Sequence, residues 1–153
     1  MQFKNVIAHE AEKKHLIHTV QENRISHAQM FLGPSGSGSL LLAIAYAQYI
    51  LCKNQQENDS CGECASCAKI QKHNHPDLHF SFPIHLSREK HVDSSDNVLG
   101  EWREILDKNP YFGLDDWNVK LGNENKQGII GVKESQNIVS KISLKSFEGG
   151  YKI

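Results

Sequence analysis

Apolar and polar positions alternate along the chain with two different periods. Over residues 8–22, Ala8, Ala11, Leu16, Ile17 and Val20 fall roughly on one side of a helix, with lysines and glutamates elsewhere, which predicts an amphipathic helix. A short apolar run, Gln29-Met30-Phe31-Leu32, ends at Gly33 and suits a buried strand. Residues 33–38 read Gly-Pro-Ser-Gly-Ser-Gly and predict a turn or loop. Residues 39–51 are apolar almost all round, so the helix predicted there should be buried on several sides. Residues 77–83 alternate Leu78, Phe80 and Phe82 with polar partners and predict a strand.

The rest is less regular. Leu99, Trp102, Ile105 and Leu106 stand at helical intervals within residues 97–107, and Asn109-Pro110 marks a break. A further helix is predicted over residues 131–144, with Val132, Ile138, Val139 and Ile142 apolar. Glu148-Gly149-Gly150 reads as a turn, and Tyr151-Lys152-Ile153 as a strand just beginning. The order strand, glycine loop, buried helix is the opening of an α/β nucleotide-binding fold. Such a fold needs several parallel strands, and the pattern supplies about two and a beginning. The expectation is that the 153-residue chain stops in mid-domain.

Composition narrows the picture. The apolar run from Leu40 to Leu51 is interrupted by Tyr46, Gln48 and Tyr49 and is too short to cross a bilayer. The N-terminus shows no apolar segment with a small-residue cleavage site, so no signal peptide is predicted and the expected compartment is the reducing cytoplasm. The net charge is −1, whereas a stand-alone DNA binder carries a basic excess to neutralise phosphates. Any contact with nucleic acid would therefore come mostly from other chains. The two tryptophans, Trp102 and Trp117, are expected in the core.

Gly33 and Gly38 have the spacing of a P-loop, which reads Gly, four residues, Gly, Lys, then Ser or Thr, and Gly36 eases the tight turn between them. Backbone N–H groups in such a loop cradle an anion. Here Ser39 stands at the lysine position and Leu40 at the Ser/Thr position. Serine is neutral and too short to reach the β- and γ-phosphates, and leucine offers no atom to Mg²⁺. Each lost charge-assisted contact is worth roughly 1.5–3 kcal/mol. ATP hydrolysis is not expected. A plain glycine–serine turn is the competing reading; the apolar segments on both sides favour a P-loop that has lost its chemistry.

All four cysteines, Cys52, Cys61, Cys64 and Cys67, lie within sixteen residues, spaced C-x8-C-x2-C-x2-C. Four thiolates match a closed, tetrahedral structural Zn²⁺ site. Disulfides fit a reducing compartment poorly. A ferredoxin-type cluster would want another cysteine where Gln71 stands. A redox C-x-x-C pair would leave two cysteines unexplained. His73 and His75 are close by but are not needed as ligands and are read as surface or packing residues.

Several segments together resemble the clamp-loader subunits of bacterial DNA polymerase III, an AAA+ family. They are Arg24-Ile25-Ser26-His27-Ala28, the loop Gly33-Pro34-x-Gly36-x-Gly38, the cysteine spacing, and His75-Pro76-Asp77. Ser39 and Leu40 place the chain with the delta-prime type, since the gamma/tau motor type keeps lysine and threonine there. Asn109-Pro110-Tyr111-Phe112, Asp116-Trp117, Glu124-Asn125-Lys126-Gln127 and Glu148-Gly149-Gly150-Tyr151-Lys152 are similar to delta-prime proteins of the Bacteroidetes type.

The resemblance implies a partial AAA+ domain over residues 1–153. It would be a parallel sheet with flanking helices, a zinc module at 52–67, an insertion at 84–127, and an end before the Walker B strand is complete. It also implies a non-catalytic subunit that supports loading of the sliding clamp onto primed DNA, beside delta and gamma/tau subunits. The Ser-Arg-Cys motif by which that family serves a neighbour's nucleotide site does not occur in these 153 residues. Two other readings compete. One is a gamma/tau-like ATPase with a divergent P-loop, though Lys53, the nearest downstream lysine, lies about three to four turns along the helix. The other is an independent zinc-ribbon module that binds nucleic acid, against which the charge and the lack of a basic or aromatic stripe around the cysteines speak.

Overall fold

The computed structural model of the chain describes residues 1–87, 89, 91–122, 127–148 and 150–153. Glu124, Asn125, Lys126 and Gly149, which entered the resemblance above, lie outside the described residues. The helices are α1 (Glu10–Gln21), α2 (Ser39–Leu51), α3 (Ala65–Gln71), α4 (Leu99–Lys108), α5 (Leu114–Lys120) and α6 (Val132–Ser143), with 3-10 turns at Phe3–Asn5 and Ser95–Val98. They fall into two compact units, Met1–Leu78 and His79–Ile153. No helix among the described residues is long and apolar enough to cross a membrane.

The first unit is built around α2. Its sequence is apolar on every side, and Leu41, Leu42, Ile44, Ala45, Tyr46, Ala47, Tyr49 and Leu51 are all buried. Against it pack Leu16 and Ile17 of α1, Ile70 of α3, and Phe3, whose ring lies 5.9 Å from that of Tyr49. One polar side chain, Gln48, is fully buried in α2. Its oxygen accepts from the Met1 ammonium at 2.7 Å and its amide donates to Ser60 Oγ at 2.9 Å, so both ends are satisfied. The amphipathic face of α1 departs from the expectation: Ala8 and Ala11 are exposed, and Lys13 is buried instead. Its ammonium donates to Val6 O at 2.6 Å and to Glu10 Oε1 at 2.7 Å.

The second unit is held by stacked aromatics. Phe82 lies parallel to Trp102 at 4.0 Å, and Trp117 meets both edge-on at 5.1 and 5.2 Å. Trp117 is 1% exposed and its indole donates to Pro83 O at 2.7 Å. Both tryptophans are core residues, as expected. Helix α6 turns most of its apolar side chains outward: Val132, Val139 and Ile142 are exposed and Ile138 is half-buried, while Glu134 is buried. That carboxylate accepts from Ser95 N at 2.7 Å and Ser95 Oγ at 2.5 Å. At the other end, the Lys152 ammonium donates to the carbonyls of Lys141 and Leu144 at 3.0 and 3.1 Å, where the helix has carbonyls without intrahelical partners.

The expected parallel sheet is absent from the described residues, where no strand forms. Residues 29–32 form no regular element and are far from buried: Met30 is 80% and Leu32 84% exposed. Only Phe31 turns inward, its ring 6.4 Å from Tyr46. Residues 77–83 are likewise unladdered, and His79 N donates to Ile153 O at 2.8 Å as an isolated contact. Two antiparallel bridges occur, Ile84 with Ile129 and Ser87 with Val92. Alternation predicts which side chains share a face. A strand also needs a continuous ladder of backbone hydrogen bonds to a neighbour, and these segments form no such ladder among the described residues.

Candidate metal centre and glycine loop

The cysteines sit where α2 ends and α3 begins. Cys52 is the C-cap of α2, and Cys64 is the N-cap of α3, with Cys67 in its first turn. Gly62, at φ 76°, reverses the chain between Cys61 and Cys64, a conformation in which a side chain is strained. A Cβ there would also run into the amide of Gln2. All four sulfurs lie within 4.8 Å of one another. Cys52 and Cys61 Sγ are 3.5 Å apart, Cys52 and Cys64 4.0 Å, and Cys61 and Cys67 3.9 Å. A tetrahedral metal with bonds of about 2.3 Å to sulfur has sulfur–sulfur edges of about 3.8 Å, so the cage fits such an ion. All four are free thiols.

Backbone N–H groups point at the sulfurs and favour the thiolate. Cys52 Sγ accepts from Cys61 N at 3.3 Å, Cys61 Sγ from Glu63 N at 3.4 Å and Cys64 N at 3.3 Å, and Cys64 Sγ from Cys67 N at 3.5 Å. Burial raises the thiols of Cys52 and Cys67. At Cys64 burial acts in the same direction but is outweighed by N–H donors from Cys67 and Lys53 and by the neighbouring thiols, which bring it down to about 6. Four sulfurs so placed could together hold one metal ion.

A polar belt fixes the cage from outside. The Asp59 carboxylate accepts from the backbone N–H groups of Phe3 and Lys4 at 3.0 Å and of Ser60 at 2.7 Å. Gln2 donates to Ser60 O at 2.6 Å, and Gln71 of α3 to Gly62 O at 3.0 Å. His75 stands outside the cage. Its Nδ1 accepts from Asp77 N at 3.1 Å, so Nε2 carries the proton and donates to Ser66 Oγ at 3.0 Å. With both nitrogens engaged, His75 is a packing histidine that holds the first turn of α3, and His73 is buried too. These supports left little trace in the sequence: Asp59 and Gln2 look like surface residues, and only His75-Pro76-Asp77 stood out as a motif.

The glycine loop leads into the other end of α2. Gly36 and Gly38 take φ of 77° and 85°, and Gly38 is the N-cap of the helix. Ser37 N donates to Pro34 O at 3.1 Å, and Leu42 N to Gly38 O at 2.9 Å opens the helical ladder. Gly33 and Gly36 are exposed, Gly38 is buried, and Ser39 and Leu40 are half-buried in the first turn. The loop therefore turns into the helix N-terminus, where Ser39 carries no charge and Leu40 no metal-ligating atom. No side chain caps the N-terminus of α2. His9, the residue before α1, instead reaches the Ser37 carbonyl at 2.7 Å. Sequence reasoning passed over His9, because only the backbone shows that it is left-handed at φ 63°.

The delta' subunit of DNA polymerase III from Bacillus subtilis is 36% identical over 77 residues, covering 50% of this chain and 23% of the relative. The delta' subunit from Escherichia coli is 34% identical over 95 residues, covering 61% and 26%. The tau subunit from Bacillus subtilis is 29% identical over 106 residues, covering 69% and 17%. The chain thus spans about a quarter or less of the length of these curated relatives. No solved structure matches it. The family model for "DNA polymerase III, delta subunit" matches residues 8–153, nearly the whole chain, and the chain belongs to that family.

Proposed function

We propose that this chain is the glycine-loop region of a non-hydrolysing clamp-loader subunit of the delta' type, with a structural zinc at Cys52, Cys61, Cys64 and Cys67. The observation that carries the reading is Ser39 and Leu40 at the head of α2, after a loop with P-loop spacing. A subunit with this loop has no lysine at position 39 to neutralise the β- and γ-phosphates and no hydroxyl at position 40 for Mg²⁺. Its contribution to the machine is then shape: a fixed place in a ring beside delta and gamma/tau subunits, which together act on the sliding clamp and primed DNA in the cytoplasm. Zinc, when bound, supplies a tetrahedral cross-link and no reaction. The chain's own residues do the rest, Cys52 joining the end of α2 to α3 and Asp59 joining the cage to the N-terminal turn.

The fold reading goes with this. Residues 29–32 and 77–83 are candidate strands of an AAA+ parallel sheet, residues 52–67 its zinc module and residues 84–127 an insertion. Support comes from family membership and from the exposed Met30 and Leu32, which a flanking strand or helix would cover.

Calorimetry with ATP and Mg²⁺ tests the function. Binding at millimolar affinity or weaker, with no turnover, is expected. Micromolar Mg²⁺-dependent binding with hydrolysis would support instead the tau-like ATPase, the reading favoured by the tau relative. Elemental analysis tests the cage, with about one zinc per chain expected.

A further inference from the structure

The segment that enters α1 contains two successive non-glycine residues in the left-handed region, Ala8 at φ 60° and His9 at φ 63°. Such a conformation persists only where its surroundings over-determine it. Both flanks are fixed. Val6 is buried and its carbonyl accepts the Lys13 ammonium at 2.6 Å. On the other side, the His9 carbonyl accepts from Lys13 N at 2.8 Å, the first backbone bond of α1. Between these anchors the twisted backbone carries the imidazole to the glycine loop, where Nε2 lies 2.7 Å from the carbonyl oxygen of Ser37, a residue 28 positions along the chain. A carbonyl only accepts, so Nε2 carries the proton.

Ser37 is in the middle of the loop. Its N–H is donated to Pro34 O at 3.1 Å. Its hydroxyl oxygen is buried, without a hydrogen-bond partner among the described residues, and stands so close to Gly33 that a Cβ there would collide with it. The loop has folded its own side chain over its first glycine.

We propose that His9 is a latch. Its imidazole holds the glycine loop in this self-filled form, so that an internal imidazole–carbonyl bond sets the loop's conformation in place of a bound phosphate. The proposal does not rest on the clamp-loader reading; nucleotide calorimetry tests that one, and exchange within the loop tests this one.

Amide hydrogen exchange on the whole metal-loaded chain, read by mass spectrometry, separates a latch from a residue that merely completes a turn. Glycine at position 9 removes the backbone strain and the imidazole together. For His9→Gly the latch requires peptides spanning residues 34–38 to exchange at least tenfold faster, with the interior of α2 unchanged. His9→Gln, whose amide can donate to the same carbonyl, should keep part of the protection. Loop protection in His9→Gly equal to or above that of the parent overturns the proposal. If His9→Gly does not fold, nitrogen-15 spectra of the unmodified chain decide. A slowly exchanging proton on Nε2 supports the latch; a ring protonated only at Nδ1, or an Nε2 proton in free exchange, overturns it.

Discussion

Helix α2 begins at a glycine loop and ends at a cysteine cage, and its two ends are held by different means. At the cage four sulfurs lie within 4.8 Å of one another, with N–H groups directed at them and a belt of side-chain bonds from Gln2, Asp59 and Gln71 around them. At the glycine loop Gly36 and Gly38 turn the chain at positive φ, Ser39 and Leu40 open the helix, and the His9 imidazole reaches the Ser37 carbonyl. A loop bound to a nucleotide can draw its order from the ligand. One without that ligand must draw it from the protein, and two left-handed residues at about 1–2 kcal/mol each are the cost of placing His9.

If the comparison holds, the cage end should be the more damaging to disturb. Chelation of the proposed zinc, or Cys64→Ser, is expected to destabilise the first unit by on the order of 3 kcal/mol or more, because metal binding is folding free energy. A circular-dichroism melt with and without chelator measures it, and an unchanged melting temperature would break the comparison. The loop end should instead respond in binding. Restoring the missing groups with Ser39→Lys and Leu40→Thr should raise affinity for Mg²⁺-ATP by about ten- to a hundredfold, at roughly 1.5–3 kcal/mol per charge-assisted contact. Calorimetry that finds no gain would show that the loop's shape, and not only its side chains, has departed from a nucleotide site.

Smaller changes sharpen the picture. Asp59→Ala leaves three N–H groups without their carboxylate and should cost about 1–3 kcal/mol by urea titration. It should also weaken metal retention, which a competing chelator would report. Gly36→Ala places a side chain at φ 77° in an exposed loop and should cost about 1 kcal/mol, with no effect on the metal. Glu104→Ala removes the exposed contact with Lys120 in the second unit and should leave the melting temperature unchanged within error.

Much of the site was legible in the sequence. The span of α2 follows from an unbroken apolar stretch between a glycine loop and Cys52. The cysteine grouping follows from spacing alone, because C-x2-C steps can bring successive sulfurs to one point. The packing of Trp102 and Trp117 follows from their size. Other features had no local signature. Lys13 reads as a surface cation and is buried because two acceptors, Val6 O and Glu10, meet it there. Helix α6 carries an apolar stripe that predicts an inward face, yet Glu134 faces in because Ser95 supplies two donors. Residues 29–32 have strand composition but no strand beside them among the described residues.

The sequence by itself determined the loop's glycines, Ser39 and Leu40 where a P-loop would carry lysine and Ser or Thr, the grouping of the four cysteines, and the family to which the chain belongs. These are matters of residue type at short range, and spacing records them. Only the tertiary structure decided that the two ends of α2 are secured from the N-terminal segment, by Asp59 reaching Phe3 and Lys4 at one end and by His9 reaching Ser37 at the other. Those bonds join residues 28 to 56 positions apart. No local pattern encodes them, because they exist only once the buried helix has drawn both partners to its ends.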